Sequence, residues 1–471
     1  MCAGPAAAGA VLARQDKAGT EVKPFVATWP HMPVDFEQAA AMRSLSDRLG
    51  SVIWNGLSGA IPKVALVLTS LYVAQRFGPD AFARYSVALS TFALLGTFPG
   101  STMATIASKF VPEFAGGDAS VGSGSITLVL VASVLAAILG GTLFVAAPWL
   151  ALLFELQPPV TGLLRAAAIA VVTTVASGGL VGLLMGAARF RHAAFSNLAG
   201  FTAFAVSIVP LCIAIGPAGA LIALAALYLA AGAIAIWQTR SYLVSDRAHP
   251  QIASRGRAII GFTAGILIAT GLIPPVAWLC NALLARGADA LPALARFNVA
   301  YTWYLVVSFP PAVLAQVEFV RMSQAKARGD HATLAREFRR FIARNAILML
   351  PITIAGALLA GPLVAVFRVE GLEAERTLQF MMGAAFVASL ANPAGLFLGI
   401  IDRIWIASGL NLAWALITLA AAWWLHEYGA IGVAIAFVIG YTVHCGVATW
   451  VAQRLIVHPA TRKSLARVSV R

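Results

Sequence analysis

Long apolar runs separated by short polar breaks recur along the whole chain. They lie near residues 50–74, 85–106, 126–150, 166–188, 194–215 and 218–237, and, after a basic stretch, near 258–284, 297–317, 346–367, 378–400, 404–425 and 430–451. Each run is long enough to cross the roughly 30 Å hydrocarbon layer of a bilayer as a helix. Gly, Pro or charge bounds most of them. Trp149, Trp237, Trp405, Trp423, Trp424 and Trp450 fall at run ends, where the headgroup belt favours an indole. The pattern predicts an all-α polytopic membrane protein with twelve transmembrane helices.

The first run, GSVIWNGLSGAIPKVALVLTSLYVA, carries Lys63 at mid-length. An ammonium at that depth is too far from either surface to snorkel, so it is expected to face a watery cavity or a partner. Gly56, Gly59 and Ser70 fall within about 40° of Lys63 on a helical wheel, forming a small and polar stripe. Pro62 removes a backbone hydrogen bond beside the charge, which lipid tolerates only where protein or water covers the freed carbonyl. Lys63, Gly59, Ser70 and Asn55 are therefore candidate substrate-binding residues, with Asn281 and Asn392 as polar groups in later runs that bond a sugar hydroxyl or bridge helices. His444, in the last run, is the other deep ionisable group and a candidate for proton coupling.

Sixty per cent of the 471 residues are apolar and eleven per cent are charged, too few to solvate a globule of this length. The net charge of +14 has no basic stripe on a soluble fold to hold nucleic acid; it suits cytoplasmic loops beside anionic lipid. With both termini inside, 25 of the 33 Lys and Arg residues fall in tails and inner loops and 7 in outer loops, an asymmetry that an odd number of crossings would destroy. The four cysteines are scattered, so neither a metal site nor a disulfide framework is expected, and no cofactor is implied. All 19 acidic residues lie in tails, loops or run ends. Residues 333–347, TLAREFRRFIARNAI, set Leu334, Phe338, Phe341 and Ile342 against Arg336, Arg339, Arg340 and Arg344, the pattern of a helix lying on the inner leaflet.

The two halves of the chain answer each other. LLMGAARFRHAAFSNLA at 183 matches LFLGIIDRIWIASGLNLA at 396, and IGPAGALIALAALYLAAG at 215 matches YGAIGVAIAFVIGYTVHCG at 428. Six crossings per repeat make the repeats parallel, so two six-helix lobes related by a pseudo-two-fold axis along the membrane normal are expected, with the transport path between them. Prolines mark the same places twice: Pro62 against Pro274 and Pro275, and Pro99 against Pro310 and Pro311. These are candidate hinges. The resulting division is a flexible cytoplasmic tail at 1–49, an N-lobe at 50–237, a linker at 238–257, a C-lobe at 258–453 and a basic cytoplasmic tail at 454–471. Met42 opens a second possible start, and tail peptides from the native protein would decide whether residues 1–41 are translated.

Paired six-helix lobes, RFGPDAFARYS after the first helix, KFVPEF after the second, LMGAARF at the end of the fourth and IGPAGA between the fifth and sixth resemble the polysaccharide and O-antigen flippases. These form one branch of the multidrug, oligosaccharidyl-lipid and polysaccharide exporter superfamily. The resemblance covers residues 45–455. It implies alternating access around a central cavity that carries an undecaprenyl-diphosphate-linked oligosaccharide across the bacterial inner membrane, by a monomer working beside polysaccharide polymerase machinery. Family members line that cavity with basic residues, and Lys63 is the deep one here. Two other functions remain to be set against this one. A cation-coupled multidrug exporter on the same fold needs a buried carboxylate. A polysaccharide polymerase or ligase needs a sizeable external loop, and the chain has neither that nor a nucleotide, zinc or DxD motif.

Overall fold

The computed structural model describes residues 45–115, 121–156, 160–244 and 272–457. The amino-terminal tail, the linker beyond Val244, residues 258–271 of the seventh run and the tail beyond Val457 lie outside the described residues. The first half comprises α1 (Leu45–Phe77), α2 (Pro79–Phe92), a π-helical turn (Ala93–Thr97), α3 (Phe98–Ala115), α4 (Val121–Phe154), α5 (Thr161–Gly186), α6 (Phe190–Ile215) and α7 (Ala218–Val244). The second comprises α8 (Ile273–Leu284), α9 (Ala290–Val307), α10 (Phe309–Ala327), α11 (His331–Leu358), the short α12 (Ala360–Ala365), α13 (Leu372–Ile400), α14 (Ile404–Leu425) and α15 (Gly429–Val457).

Ten segments are long and apolar enough to cross a membrane. One of them, Ile404–Ile456, holds both α14 and α15, which makes eleven, and α8 is the described end of the expected seventh crossing. All six end-of-run tryptophans are exposed. The stretch 333–347 departs from expectation. It is the first half of the continuous α11, and Leu334, Phe338 and Phe341 are buried against Met322, Phe397, Leu398 and Leu455 rather than lying on lipid. An amphipathic pattern reports a face that seeks apolar cover without saying whether lipid or protein supplies it.

The internal repeat is written into the turns. The described non-glycine residues with positive φ are Glu155, Ala188, Arg368 and Asp402, and they form two pairs, at the ends of α4 and the α11–α12 segment and at the ends of α5 and α13. After α5, Arg189 N donates to Leu184 O at 2.8 Å; after α13, Arg403 N donates to Leu398 O at 2.8 Å. Left-handed backbone at Ala or Arg is uncommon enough that its recurrence at matching places marks a duplicated design. Gly216 and Gly429 turn the chain into α7 and α15 with φ of 67° and 59°.

The candidate hinge prolines mostly begin helices. Pro274 and Pro275 open α8, and Pro310 and Pro311 open α10 just after a break at Ser308. Pro99 follows the π-helical turn at the start of α3. Phe98-Pro99 and Phe309-Pro310 thus interrupt the second and eighth crossings alike. Pro62 differs: α1 runs through it unbroken.

Candidate functional site

The two halves meet at one end of the bundle. Contact concentrates where α2 packs on α8 and α9. Trp278 Nε1 donates to Thr91 Oγ1 at 2.9 Å, Arg286 Nε reaches Leu153 O at 3.5 Å, Gln75 donates to Val366 O, and Phe82 packs on Phe367 with ring centroids 5.6 Å apart. These residues cluster at the ends of α1 and α4 remote from Leu45. Toward the other end the helices part.

Helix α1 records that opening residue by residue. Ile53, Leu57, Val64 and Leu68 form one exposed stripe, aliphatic throughout, as a lipid-facing surface requires. Roughly a third of a turn away, Gly59 and Lys63 are exposed on a second stripe, and nothing lies within 4 Å of a side-chain carbon built at Gly56 or Gly59. Lys63 Nζ sits 5.0 Å from the centroid of the Phe309 ring, which belongs to α10 of the other half. The ammonium therefore points into the gap between the halves, over an aromatic face that attracts cations. Two turns further along the same stripe Ser70 is buried, with its hydroxyl donating to Leu66 O of its own helix at 3.0 Å. The gap closes between Lys63 and Ser70, so Ser70 is not brought to Lys63's chamber. Asn55 is half-buried near the open end.

The remaining candidates lie inside the second half. Asn281 is fully buried and accepts from Asn298 Nδ2 at 2.6 Å, which bridges α8 to α9. Asn392 is half-buried on α13. His444 is half-buried on α15 with Nδ1 3.2 Å from Leu410 O, and because a carbonyl only accepts, Nδ1 carries the proton there. Nearby, the Tyr304 and Tyr441 hydroxyls pair at 2.7 Å. Asn281, His444 and the tyrosine pair thus join helices within the second half.

Two features escaped the sequence reading. First, Glu318 is fully buried on α10, not at a solvated run end. Arg344 of α11 pairs with its Oε1, as does Arg321 at 3.2 Å, and Arg344 also lies 3.7 Å from Glu337. The hydropathy of 297–317 ends just before Glu318 and concealed that α10 continues for nine residues beyond it. Second, α3 exposes Ser101, Thr105 and Ser108 on one face, a hydroxyl spacing of four and three residues that was visible in the sequence.

The inward-facing conformation of a multidrug resistance MATE family transporter of the MOP superfamily superposes on this chain with a TM-score of 0.72 at 14% identity, covering 85% of this chain and 98% of that one. An outward-facing conformation from the same class gives 0.62 at 16% identity, covering 86% and 94%. A MOP superfamily transporter from Pyrococcus furiosus, described as having a binding pocket of reversed polarity, gives 0.61 at 16% identity, covering 86% and 94%. The fold is that of the MOP superfamily transporters. Within that class the chain belongs to the polysaccharide biosynthesis protein family, whose profile matches residues 123–370. The EPS I polysaccharide export inner membrane protein EpsE of Ralstonia solanacearum is 24% identical over 342 residues, 70% of this chain and 76% of that protein.

Proposed function

We propose that the protein carries an undecaprenyl-diphosphate-linked oligosaccharide from the inner to the outer leaflet of the bacterial inner membrane by alternating access of two six-helix lobes, with both termini cytoplasmic. The observation that carries this reading is Lys63. It is a cation in the gap between the halves, and no carboxylate among the described residues forms an ion pair with it. A compact ammonium in a wet cavity walled by lipid-buried helices attracts an anion strongly, and a diphosphate supplies one. Family membership and the export role in EpsE's name support the cargo class. Closure at the far end, with Ser70 shut in and Gly59 open, together with the higher likeness to an inward-facing relative, supports a cleft open on the cytoplasmic side.

A cation-coupled drug exporter on the same fold has one feature in its favour, the buried Glu318. Two guanidinium groups already neutralise that carboxylate, so a cationic drug or coupling ion would have to displace Arg344. The exporter reading is therefore second.

Lys63→Gln is expected to abolish surface glycan at normal protein level while lipid-linked glycan accumulates at the cytoplasmic face. Normal surface glycan in that variant overturns the role of Lys63. A gene deletion that leaves lipid-linked glycan at its usual level overturns flipping itself.

A further inference from the structure

Helix α6 turns one face to lipid and ends that face in a cation. Phe195, Leu198, Val206, Val209 and Ile213 are exposed and fall within about 80° of one another around the helix. From Phe195 to Ile213 this stripe rises about 27 Å, close to the roughly 30 Å hydrocarbon layer. Arg191, exposed in the first turn of α6, continues the same stripe one turn beyond Phe195. That is the level of the lipid phosphates.

The Arg191 guanidinium is braced from two helices. It lies 5.9 Å from the ring centroid of Trp54 on α1 and 5.5 Å from that of Phe195 on α6, and the two rings stack on each other with centroids 5.9 Å apart. Deeper in the same seam Asn197 Nδ2 donates to Ser58 O and to Ser58 Oγ, each at 2.9 Å, which ties α1 to α6 beside the rings. Ring contact holds the guanidinium in place and leaves its N–H donors available to an acceptor. No carboxylate among the described residues forms an ion pair with Arg191, and the sequence has no Asp or Glu between Glu155 and Asp246. Trp54 and Lys63 stand nine residues apart, which puts them on opposite sides of α1. The corner at Arg191 therefore opens on the bilayer, with α1 between it and the gap.

We infer that Arg191, Trp54 and Phe195 form a docking site for an anionic phospholipid of the leaflet at that end of the bundle, the cytoplasmic leaflet on the topology proposed above. The lipid phosphate accepts from the guanidinium, and the acyl chains run down the stripe of α6 and the aliphatic stripe of α1, Ile53, Leu57, Val64 and Leu68. A zwitterionic headgroup carries its own cation beside the phosphate, so the site favours a headgroup of net negative charge. The bound lipid braces α1, the helix that stands between bilayer and gap. The site does not depend on what the chamber carries.

Counting bound lipid by native mass spectrometry tests this. Full-length protein in detergent is titrated with phosphatidylglycerol and with phosphatidylcholine. Wild type is expected to hold one phosphatidylglycerol more tightly than any phosphatidylcholine. Arg191→Gln should weaken that lipid about fivefold, the worth of one basic residue beside an anionic headgroup. Phe195→Leu keeps the charge and the apolar stripe but removes a ring, and should weaken it by less. Arg339→Gln, which removes an exposed charge from the first half of α11, should leave it unchanged. Equal losses from Arg191→Gln and Arg339→Gln would mean diffuse attraction and overturn the site, as would an Arg191→Gln protein that binds phosphatidylglycerol as wild type does. Displacement of the lipid by inorganic phosphate at equal concentration marks a bare anion site, and displacement by a lower concentration of undecaprenyl diphosphate in Lys63→Gln protein marks an entry point for cargo. Either overturns the phospholipid proposal. An unchanged melting temperature of Arg191→Gln without added lipid excludes misfolding as the cause of lost binding.

Discussion

The two halves share a topology and even their strained turns, yet they are held together differently. In the first half, α3 and α5 are zipped by glycine: a side-chain carbon at Gly178 would lie 2.3 Å from Gly100 O, and one at Gly186 would lie 2.6 Å from Ala107 O. In the second half the matching glycines on α13, Gly395 and Gly399, have nothing within 4 Å. There α10 is tied by charge instead, through Glu318 with Arg344 and Arg321, and through Lys326, whose Nζ donates to Ile400 O at 2.5 Å and to Asp402 at 2.6 Å. Close backbone approach gives a dense, dry contact by dispersion and removes any need for polar glue. A wider spacing leaves room for side chains and needs directional pairs to fix it. Each half also has an apolar cluster of its own beside the large one that both share, Leu180, Val181, Leu184, Ala193 and Ala235 in the first and a larger set around Phe338 and Phe397 in the second. The first half is thus held by close backbone contact, and α10 of the second half, beyond the break at Ser308, by directional pairs.

The sharpest way to break this contrast is to remove its charges. Arg344→Ala leaves Glu318 buried with Arg321 alone, and a loss of about 3–5 kcal/mol is expected, read as a lower melting temperature in detergent. Glu318→Ala should cost less, about 3 kcal/mol, because Arg344 keeps Glu337 at 3.7 Å. If neither variant melts earlier than wild type, the ion pairs do not hold α10. Next comes a matched pair of glycine substitutions. Gly182→Ala drives a methyl to 2.7 Å from Ala104 Cα and should cost about 1–3 kcal/mol by overpacking. Gly395→Ala, 213 residues later, meets open space and should stabilise its helix by about 0.5–1 kcal/mol. Equal effects at the two sites would erase the distinction between the lobes.

Much of this was legible in the residues. Run lengths gave the described crossings, and Lys63 with its small neighbour Gly59 marked an exposed stripe of α1. What escaped has a common physical cause: one sequence pattern serves two environments. The face of Leu334, Phe338 and Phe341 fits lipid or protein equally well, and only the position of α13 and α15 decides it. Ser70 shares a helical face with Lys63 but lies beyond the level at which the halves close, and a wheel has no depth. Glu318 reads as a loop acid because averaged hydropathy falls wherever a helix leaves the apolar layer, whether or not the helix ends.

The smallest effect concerns how α11 begins. Asp330 caps that helix, accepting from Thr333 N at 2.9 Å, whereas α2, α5 and α6 of the first half start without a side-chain cap. The Thr333 hydroxyl and backbone N–H hold the exposed Asp330 carboxyl below the usual carboxylate range. A depressed folded pKa stabilises the helix start at pH above the ordinary carboxylate value and loses that contribution as pH falls through the folded one. The protection factor of the Thr333 amide, its exchange relative to an unstructured peptide at the same pH, should thus fall below about pH 4, with no such change at the first turns of α5 and α6. Asp330→Asn retains an acceptor and should flatten the pH dependence, while Asp330→Ala should raise exchange at neutral pH as well. Exchange at Thr333 that ignores both substitutions would mean that packing of Leu334 and Phe338 alone fixes the helix start. The cap would then add nothing to the difference between the halves.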